Sequence, residues 1–257
     1  MDRLGRRTKS LTNDERPRFR DHRLDDFGLP DLNPHVKAHM TYGKPVLTAT
    51  QAAEYYGRWN EAFDREAPVV LEVGCGNGFF LNGLAGLRPE YNLIGIEIRY
   101  KRVMLTGKKL RDSGREHALV ARYDGWFLDD LFQDGDLHGI HVNHPDPWPK
   151  GKHTKNRMLS RPFLEDCARF LKPGGFLRVK SDFKHNIERT EAFIDRTLRG
   201  DPLPALPFTI TGREDDVNAN GAPWTDDVQT NYQKKFERKG LPVYAIELTR
   251  GEFGAGS

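Results

Sequence analysis

Residues 143–149 read NHPDPWP and place an amide, a carboxylate and an indole among three prolines. Each proline fixes its own φ and lacks a backbone donor, so this segment can neither continue a helix nor lie inside a sheet. A loop this stiff would hold Asn143, Asp146 and Trp148 ready for a ligand without an ordering cost at binding. A purely structural turn, with Asp146 capping its own backbone and Trp148 in the core, is the alternative.

A run of cations follows this proline-rich loop directly. The segment KGKHTKNR, residues 150–157, contains four lysine or arginine side chains and one histidine, and it contains no acid. Such a run is usually a solvated loop. Beside an indole and a carboxylate, however, it indicates a site for a phosphate-bearing substrate whose base stacks or hydrogen-bonds nearby. We therefore expect Lys152, Lys155 and Arg157 to contact the substrate.

A glycine loop after the apolar run PVVLEV forms a second candidate site. Glycines at positions 74, 76 and 78 allow the backbone to turn tightly and to approach a ligand, although a tight turn without a ligand would also use them. Glu97, 23 residues after Gly74, is placed to accept hydrogen bonds from two ribose hydroxyls. The spacing differs from the G-x-G-x-x-G of pyrophosphate-binding loops, and Glu72 favours a cationic ligand. S-adenosylmethionine, with its ammonium and sulfonium and no phosphate, fits this charge balance.

Three other features of the sequence have competing interpretations. Asp124 ends the apolar segment HALVARYD, where it would either accept from an adenine amino group or cap the helix that starts at Gly125. Cys75, inside the glycine loop, is interpreted as a small buried side chain rather than a nucleophile. The segment HGIHVNH has three histidines, but positions three apart on a strand point to opposite faces, so we expect no metal site.

Strands and helices alternate along the chain and must position these residues. The apolar runs PVVLEV, NLIGIEI, HALVARYD, LHGIHVN and FLRVKSD predict strands, and helical patterns such as FFLNGLAGL and RPFLEDCARFL separate them. Together with FTIT and PVYAIEL, they predict a mostly parallel seven-stranded α/β sheet with helices on both faces. Ligands bind such sheets at the carboxyl ends of the strands, where both candidate sites lie. The spacing of Ala53, Tyr56, Trp59 and Phe63 further predicts one helix over TQAAEYYGRWNEAF.

Composition narrows the class of protein. With 257 residues and 37% hydrophobic content, the chain can bury the core of one main domain. Forty Lys and Arg against 37 Asp and Glu give a net charge of +3, which by itself indicates little about nucleic acid. Two cysteines suit a reducing compartment, and the sequence contains neither a signal peptide nor a long apolar run. These features predict a cytoplasmic protein that does not contact membranes.

The N-terminal segment is basic and lacks a hydrophobic period. Its first 23 residues contain eight Arg or Lys, so it is interpreted either as a solvated tail or as an arm that touches phosphates. We predict a flexible basic segment over residues 1–40 and a single domain over residues 41–257.

Five segments together resemble one enzyme family. LEVGCGNG, GIEI, NHPDPWPKGKHTKNR, LKPGGFLRVKSD and TNYQKKFERKG are similar to the motifs of the tRNA (guanine-N7)-methyltransferases. These are class I enzymes that use S-adenosylmethionine to methylate a guanine in the variable region of tRNA. The resemblance spans residues 69–248, and its most specific part is the PDPWPKxxHxKxR pattern. It implies a Rossmann-like class I methyltransferase domain, with tRNA as the partner and either a monomer or a homodimer as the assembly.

The resemblance also implies roles for individual residues. Asp146 would lie at the catalytic centre. Cofactor contacts would come from the glycine loop, the strand ends and the proline-rich loop, namely Glu72, Gly74, Gly76, Gly78, Glu97, Asp124 and Asn143. Substrate contacts would come from Lys150, Lys152, Lys155, Arg157, Asp182, Thr230, Asn231, Tyr232 and Gln233.

Two positions depart from the family pattern. His144 stands where the family has Phe before Pro-Asp, and Gln233 stands where its T-x-aromatic-E pattern has Glu. The substrate contact at this second position therefore loses a charge, and Glu237 is the alternative residue for it.

The chemistry agrees with these residues. Guanine N7 has a lone pair and no proton, so its methylation needs no general base, and Asp146 could either stabilise the cationic product or accept from guanine N1–H and the amino group. Two other functions remain open. An exocyclic-amine methyltransferase for DNA or protein also has a loop after the fourth strand, but residues 143–146 lack its aromatic residue. A non-catalytic RNA-binding module is the second alternative.

Overall fold

The computed structural model describes residues 34–148, 157–195 and 205–252. The strands are β1 (Val46–Leu47), β2 (Val69–Val73), β3 (Asn92–Glu97), β4 (Ala118–Arg122), β5 (Leu137–Asn143), β6 (Leu171–Ser181), β7 (Phe208–Glu214) and β8 (Tyr244–Arg250). The α-helices are α1 (Pro34–Thr41), α2 (Ala49–Glu54), α3 (Phe79–Leu87), α4 (Tyr100–Asp112), α5 (Arg161–Phe170), α6 (Lys184–Ile194), α7 (Val217–Asn220) and α8 (Asn231–Glu237). None of the helices in these ranges combines the length and the apolar composition that a membrane crossing requires.

One sheet organises the fold, with the strand order β1-β4-β3-β2-β5-β6-β8-β7. Neighbouring strands from β1 to β6 pair in parallel, whereas β8 runs antiparallel to both β6 and β7. The mostly parallel α/β architecture expected from the sequence is therefore confirmed. The strand beyond the seven expected is β1, a two-residue strand at the sheet edge. Because β4, β3, β2 and β5 are parallel neighbours, their carboxyl ends meet at one edge of the sheet.

Apolar side chains of the strands alternate between two cores, one on each face of the sheet. On β2, Leu71 packs into one core and Val70 into the other. Helix α5 covers the first core with residues such as Phe163. Helices α3 and α4 cover the second with residues such as Leu84 and Val103. Burial on both faces explains why the central strands are apolar runs rather than alternating patterns.

The single helix predicted over TQAAEYYGRWNEAF is wrong. Helix α2 ends at Glu54, and a short 3₁₀ helix begins at Trp59. Between them Gly57 adopts a φ of 72°, a left-handed conformation that interrupts a helix. A Cβ at Gly57 would lie 2.8 Å from the end of the flexible Gln133 side chain, which can move aside, so the positive φ is what favours glycine here. Trp59 is buried as expected, but Tyr56 is 46% exposed.

The predicted basic segment lies mostly outside the described residues. Its predicted boundary at residues 40 and 41 falls inside α1, which packs against α4. In this contact the buried His39 ring meets the edge of Tyr100, with ring centroids 5.2 Å apart. The division into a flexible basic segment and one domain stays a prediction.

Strands β5 and β6 approach closely at Gly139, whose register partner is Phe176. The Phe176 ring covers the glycine, and a Cβ added to Gly139 would lie 2.2 Å from its Cζ. The same ring contacts His138 and His141, with centroids 5.7 and 5.4 Å apart. The aromatic ring therefore has little room to move.

Replacing Gly139 with Ala should lower the free energy of unfolding by about 1–3 kcal/mol, since the methyl group overpacks this contact. Denaturant unfolding would measure the loss. Gly251→Ala is the matched control, because a Cβ there meets only Pro207 O at an ordinary 3.8 Å. Equal stability of the two variants would contradict the close packing described for Gly139.

Candidate active site

Two cavities open where β2, β3, β4 and β5 end. The first has a volume of about 560 Å³ and is lined by the end of β3, the turn after β4 and the proline-rich loop. The second has a volume of about 480 Å³ and is lined by the glycine loop, the start of α3, Asp182 and the start of α8. The two cavities share wall residues, namely Gly74, Arg102, Asn143, His144 and Asp146. They therefore meet at the loop that the sequence singles out.

The glycine loop is a tight turn between β2 and α3. Its three glycines have φ angles of 78°, 57° and 71°, all in the left-handed region that favours glycine. The amides of Gly74 and Cys75 donate to the carbonyl of Ile96 at 2.9 and 3.0 Å. Thr106 Oγ1 donates to the carbonyl of Gly76 at 3.0 Å. These bonds fix the loop against β3 and α4, and Cys75 is buried in the second core, as interpreted from the sequence.

The Glu72 carboxylate is buried at the wall of the second cavity. Its Oε1 accepts from Asn143 Nδ2 at 3.1 Å, whereas its Oε2 has no hydrogen-bond partner among the described residues. Burial raises the pKa of Glu72 to about 7, although the Asn143 hydrogen bond and the charge of Lys180 oppose this shift. An unsatisfied carboxylate oxygen in this position is suited to a cationic donor.

Glu97 and Asp124 both line the first cavity, at the ends of β3 and β4. Glu97 is 6% exposed, and its Oε1 accepts from the amide of Arg99 at 2.9 Å. Its Oε2 lies 3.7 Å from Arg102 Nη1. Asp124 Oδ1 accepts from the amide of Trp126 at 3.0 Å, so the carboxylate caps its own turn while it faces the cavity. No helix starts at Gly125, since the next one is a 3₁₀ helix over Leu128–Asp130, so the predicted helix cap is wrong and Asp124 caps a turn instead.

The proline-rich loop presents Asp146 between the two cavities. The loop turns at His144 and Trp148, whose φ angles are 50° and 40°. Asp146 is exposed, and its neighbours are held by protein contacts. Arg157 Nε donates to the carbonyl of Trp148 at 2.9 Å, and Asn186 Nδ2 donates to that of Pro145 at 3.5 Å. These bonds hold the backbone on both sides of Asp146, while its carboxylate is open to a ligand.

The basic residues of this region have different placements. Arg157 is 8% exposed and holds the proline-rich loop through its hydrogen bond to the carbonyl of Trp148. The expected substrate contact by Arg157 stays a prediction. Lys150, Lys152 and Lys155 lie outside the described residues.

His144 links three elements of the site. Its Nε2 lies 2.9 Å from Thr230 Oγ1, and its Nδ1 lies 3.4 Å from Asp182 Oδ1. Its ring packs against Tyr232, with centroids 5.1 Å apart. The backbone amide of His144 donates to the carbonyl of Lys180 at 2.8 Å. The sequence marks His144 only as a departure from Phe, whereas the structure makes it the junction of the proline-rich loop, β6 and α8.

Lys180 is the residue that the sequence analysis missed. Its side chain is completely buried, and Nζ donates to Asp227 Oδ1 at 2.7 Å, to Val228 O at 2.8 Å and to Gln233 Oε1 at 3.1 Å. Gln233 is 4% exposed and does not line either cavity, so its substrate contact stays a prediction. Glu237, the alternative, accepts from Gln229 Nε2 at 2.7 Å. The motif FLRVKSD contains Lys180, but a lysine on a strand gives no signal that it is buried.

Metal ligands do not cluster in the described part of the chain. No group of three or more His, Cys, Asp or Glu residues there has the arrangement to hold a metal ion. His138 and His141 instead contact the ring of Phe176, and His144 belongs to the hydrogen bonds at the site.

Solved methyltransferase structures share this fold. The antibiotic-resistance methyltransferase Kmr aligns with a TM-score of 0.52 at 18% sequence identity, covering 77% of this chain and 93% of its own. The 16S rRNA methyltransferase KamB aligns with a TM-score of 0.55 at 14% identity, covering 76% of this chain and 94% of its own. The fold is that of the class I S-adenosylmethionine-dependent methyltransferases.

Sequence relatives narrow the class to a family. The family model described as "Putative methyltransferase" matches residues 66–246. The tRNA (guanine-N(7)-)-methyltransferase of Lactococcus lactis subsp. cremoris (strain MG1363) is 31% identical over 201 residues, which cover 78% of this chain and 88% of that protein. Its counterpart in Bacillus subtilis (strain 168) is 29% identical over 203 residues, covering 79% and 90%. The chain belongs to the tRNA (guanine-N(7)-)-methyltransferase family, which confirms the resemblance of its motifs.

The raised pKa of Glu72 predicts a pH-dependent stability. Between its ordinary value of 4.5 and the folded value of about 7, the native state binds more protons than the unfolded state. The free energy of unfolding should therefore decrease as pH rises through this window, by about 3 kcal/mol in total. Glu72→Gln lacks this titration, so it should gain about that amount relative to the unmodified protein between pH 4.5 and about pH 8.

Denaturant unfolding across this pH range would measure the difference. Glu54→Gln, which changes an exposed carboxylate, serves as the control and should show no such trend. A stability difference between Glu72→Gln and the unmodified protein that stays constant with pH would show that Glu72 titrates normally.

Proposed function

We propose that the protein transfers a methyl group from S-adenosylmethionine to N7 of a guanine in the variable region of tRNA, in the cytoplasm. The observation that carries the proposal is the position of Asp146, exposed on a rigid loop at the wall that both cavities share. Glu97 and Asp124 line the first cavity and Glu72 the second, so the methyl donor would contact both, and the second also has a polar and aromatic lining suited to a nucleotide. A carboxylate between them can contact the reacting base.

The residues present fit S-adenosylmethionine. The unpaired Oε2 of buried Glu72 would accept from the ammonium group, and the glycine loop leaves room for close approach. Glu97 would accept from the ribose hydroxyls, and Asp124 from the adenine amino group. When bound, S-adenosylmethionine supplies the electrophilic methyl group on its sulfonium. Asn143, which donates to Glu72, orients that carboxylate for the contact.

Guanine recognition would fall to Asp146. N7 carries a lone pair and no proton, so the protein need not remove one and must instead position the base. A carboxylate can accept from both guanine N1–H and the exocyclic amino group. Adenine has neither donor in that arrangement, so the same contact selects against it.

The rest of the substrate would be held by two groups of residues. Asp182, Thr230, Asn231 and Tyr232 line the second cavity and would contact the target nucleotide. The basic segment that contains Lys150, Lys152 and Lys155 would contact phosphates, which supply much of the affinity of proteins for nucleic acids. Arg157 supports the proline-rich loop, and Gln233 holds Lys180, so both would act on tRNA binding through their neighbours.

A transfer assay tests the proposed function directly. The protein is incubated with S-adenosylmethionine carrying a labelled methyl group and with unmodified tRNA, and the labelled nucleoside is identified after digestion. The label should appear in 7-methylguanosine from the variable region, and a tRNA with adenine at that position should stay unlabelled. Label on an exocyclic amine or on protein would overturn the proposal, as would tRNA binding without any transfer.

Asp146→Asn should separate a catalytic from a structural carboxylate. The change keeps the size but turns an acceptor into a donor that faces the donors of guanine. The transition state should lose about 3–5 kcal/mol, or roughly a hundred- to several-thousandfold in kcat/KM. The affinity for S-adenosylmethionine and the melting temperature should change little, because Asp146 is exposed.

The control is Asp64→Asn, which changes an exposed carboxylate at a positive φ that contributes to neither cavity. It should leave all three quantities unchanged. If Asp146→Asn bound the donor and transferred methyl groups at the normal rate, the catalytic assignment would be wrong.

A further inference from the structure

Two exposed aromatic rings line the second cavity. Phe79 is the first residue of α3, directly after the glycine loop, and it is 44% exposed. Tyr232 lies in the first turn of α8 and is 47% exposed. The next residue after Phe79, Phe80, is 3% exposed and packs into the core. Phe79 therefore lines the cavity, whereas Phe80 is the residue that packs into the core. Phe79 is not among the residues proposed to contact the donor or the guanine.

Each of these rings has a cation beside it. Lys109 Nζ lies 3.9 Å from the ring centroid of Phe79, and Lys235 Nζ lies 5.6 Å from that of Tyr232. In the described part of the chain, neither ammonium forms an ion pair with an acid. Arg102, which lines both cavities, adds a third cation. The cavity thus combines two exposed rings with two lysines that form no ion pair among the described residues, whereas Arg102 lies 3.7 Å from Glu97 Oε2.

The two exposed rings and their neighbouring lysines suit a nucleotide. Aromatic rings stack with any nucleobase because every base has a π-face, while neighbouring lysines contact its phosphates. Glu72, which lines the same cavity and would accept from the ammonium of S-adenosylmethionine, places the donor next to a base held by these rings. A planar base with a phosphate on either side matches both the rings and the charges.

We propose that Phe79 is a base-stacking residue of this enzyme and that it holds the target guanine together with Tyr232. The proposal rests on the proposed methylation of tRNA and assigns it a specific contact. Phe79 directly follows the glycine loop, so a base on its ring lies beside the methyl donor's binding site. Stacking also offsets part of the cost of taking the guanine out of the folded RNA.

Loss of the stacking contact should lower kcat more than it raises KM. Contacts along the RNA backbone would supply most of the tRNA affinity, so the loss of one stacked base should change KM little. An unstacked guanine, however, would spend less time with N7 in line with the methyl group. This pattern differs from that of a phosphate contact, whose loss raises KM and weakens its dependence on salt.

Phe79→Ala, Phe79→Tyr and Leu87→Ala would test the proposal with the full-length protein. Leu87 ends the same helix, is 50% exposed and lines neither cavity, so Leu87→Ala is the matched control. Phe79→Ala should lose about ten- to a hundredfold in kcat/KM for tRNA, mainly in kcat. Phe79→Tyr, which keeps a stacking ring, should stay within about threefold of the unmodified enzyme, and Leu87→Ala should not differ from it.

Measurements of S-adenosylmethionine affinity and melting temperature complete the test, and both should be unchanged in Phe79→Ala. Activity of Phe79→Ala equal to that of Leu87→Ala would overturn the stacking role while leaving the methylation of tRNA intact. A matching loss of donor affinity would make Phe79 part of the donor site instead. If the unmodified enzyme formed no 7-methylguanosine, the proposed function itself would fail, and the stacking role with it.

A double variant tests whether the two rings hold one base. If they do, Phe79→Ala combined with Tyr232→Ala should lose less activity than the product of the two single losses, because the second change removes a contact already weakened. If the loss in the double variant equalled the product of the two single losses, the rings would act independently, and the shared contact would be overturned.

Discussion

The site depends on the hydrogen bonds that the buried ammonium of Lys180 donates. A buried ammonium is costly unless acceptors replace water, and Lys180 donates to Asp227, to the carbonyl of Val228 and to Gln233. These bonds tie the chain before and within α8 to the end of β6. The backbone carbonyl of Lys180 accepts from the amide of His144, and this bond connects the proline-rich loop to β6. One buried residue thereby joins the segments that line the second cavity.

The charged residues of the site differ in how deeply they are buried. Lys180 lies behind the cavities and contributes to the electrostatic environment of Glu72, whose carboxylate is buried and has a pKa near 7. Glu97 and Asp124 face the first cavity, where the methyl donor binds in our proposal. Asp146 alone among these acids is exposed at the shared wall. In our proposal, the acids for the donor lie at or near the ends of β2, β3 and β4, whereas the acid for the base lies in the loop after β5.

Periodicity and glycine spacing predicted much of this arrangement. The seven apolar runs became β2 to β8 because strands buried on both faces must be apolar throughout. The rule that ligands bind at the carboxyl ends of parallel strands predicted from the sequence that the glycine loop and the proline-rich loop lie at one edge of the sheet. The helix over residues 50–63 failed at Gly57, since the period of its apolar residues contains no information on the left-handed φ that the chain adopts there.

The sequence by itself determined the sheet, the two loops and the acids that could serve a methyl donor and a guanine, because these depend on local residue types and short spacings. Only the tertiary structure decided which polar residues face the cavities. Arg157 and Gln233 are buried against Trp148 and Lys180, which the sequence does not indicate, and their substrate contacts stay predictions. Phe79 looked like an ordinary helix residue but is exposed in the second cavity. The physical reason is that burial and pairing depend on partners distant in the sequence, which no local pattern specifies.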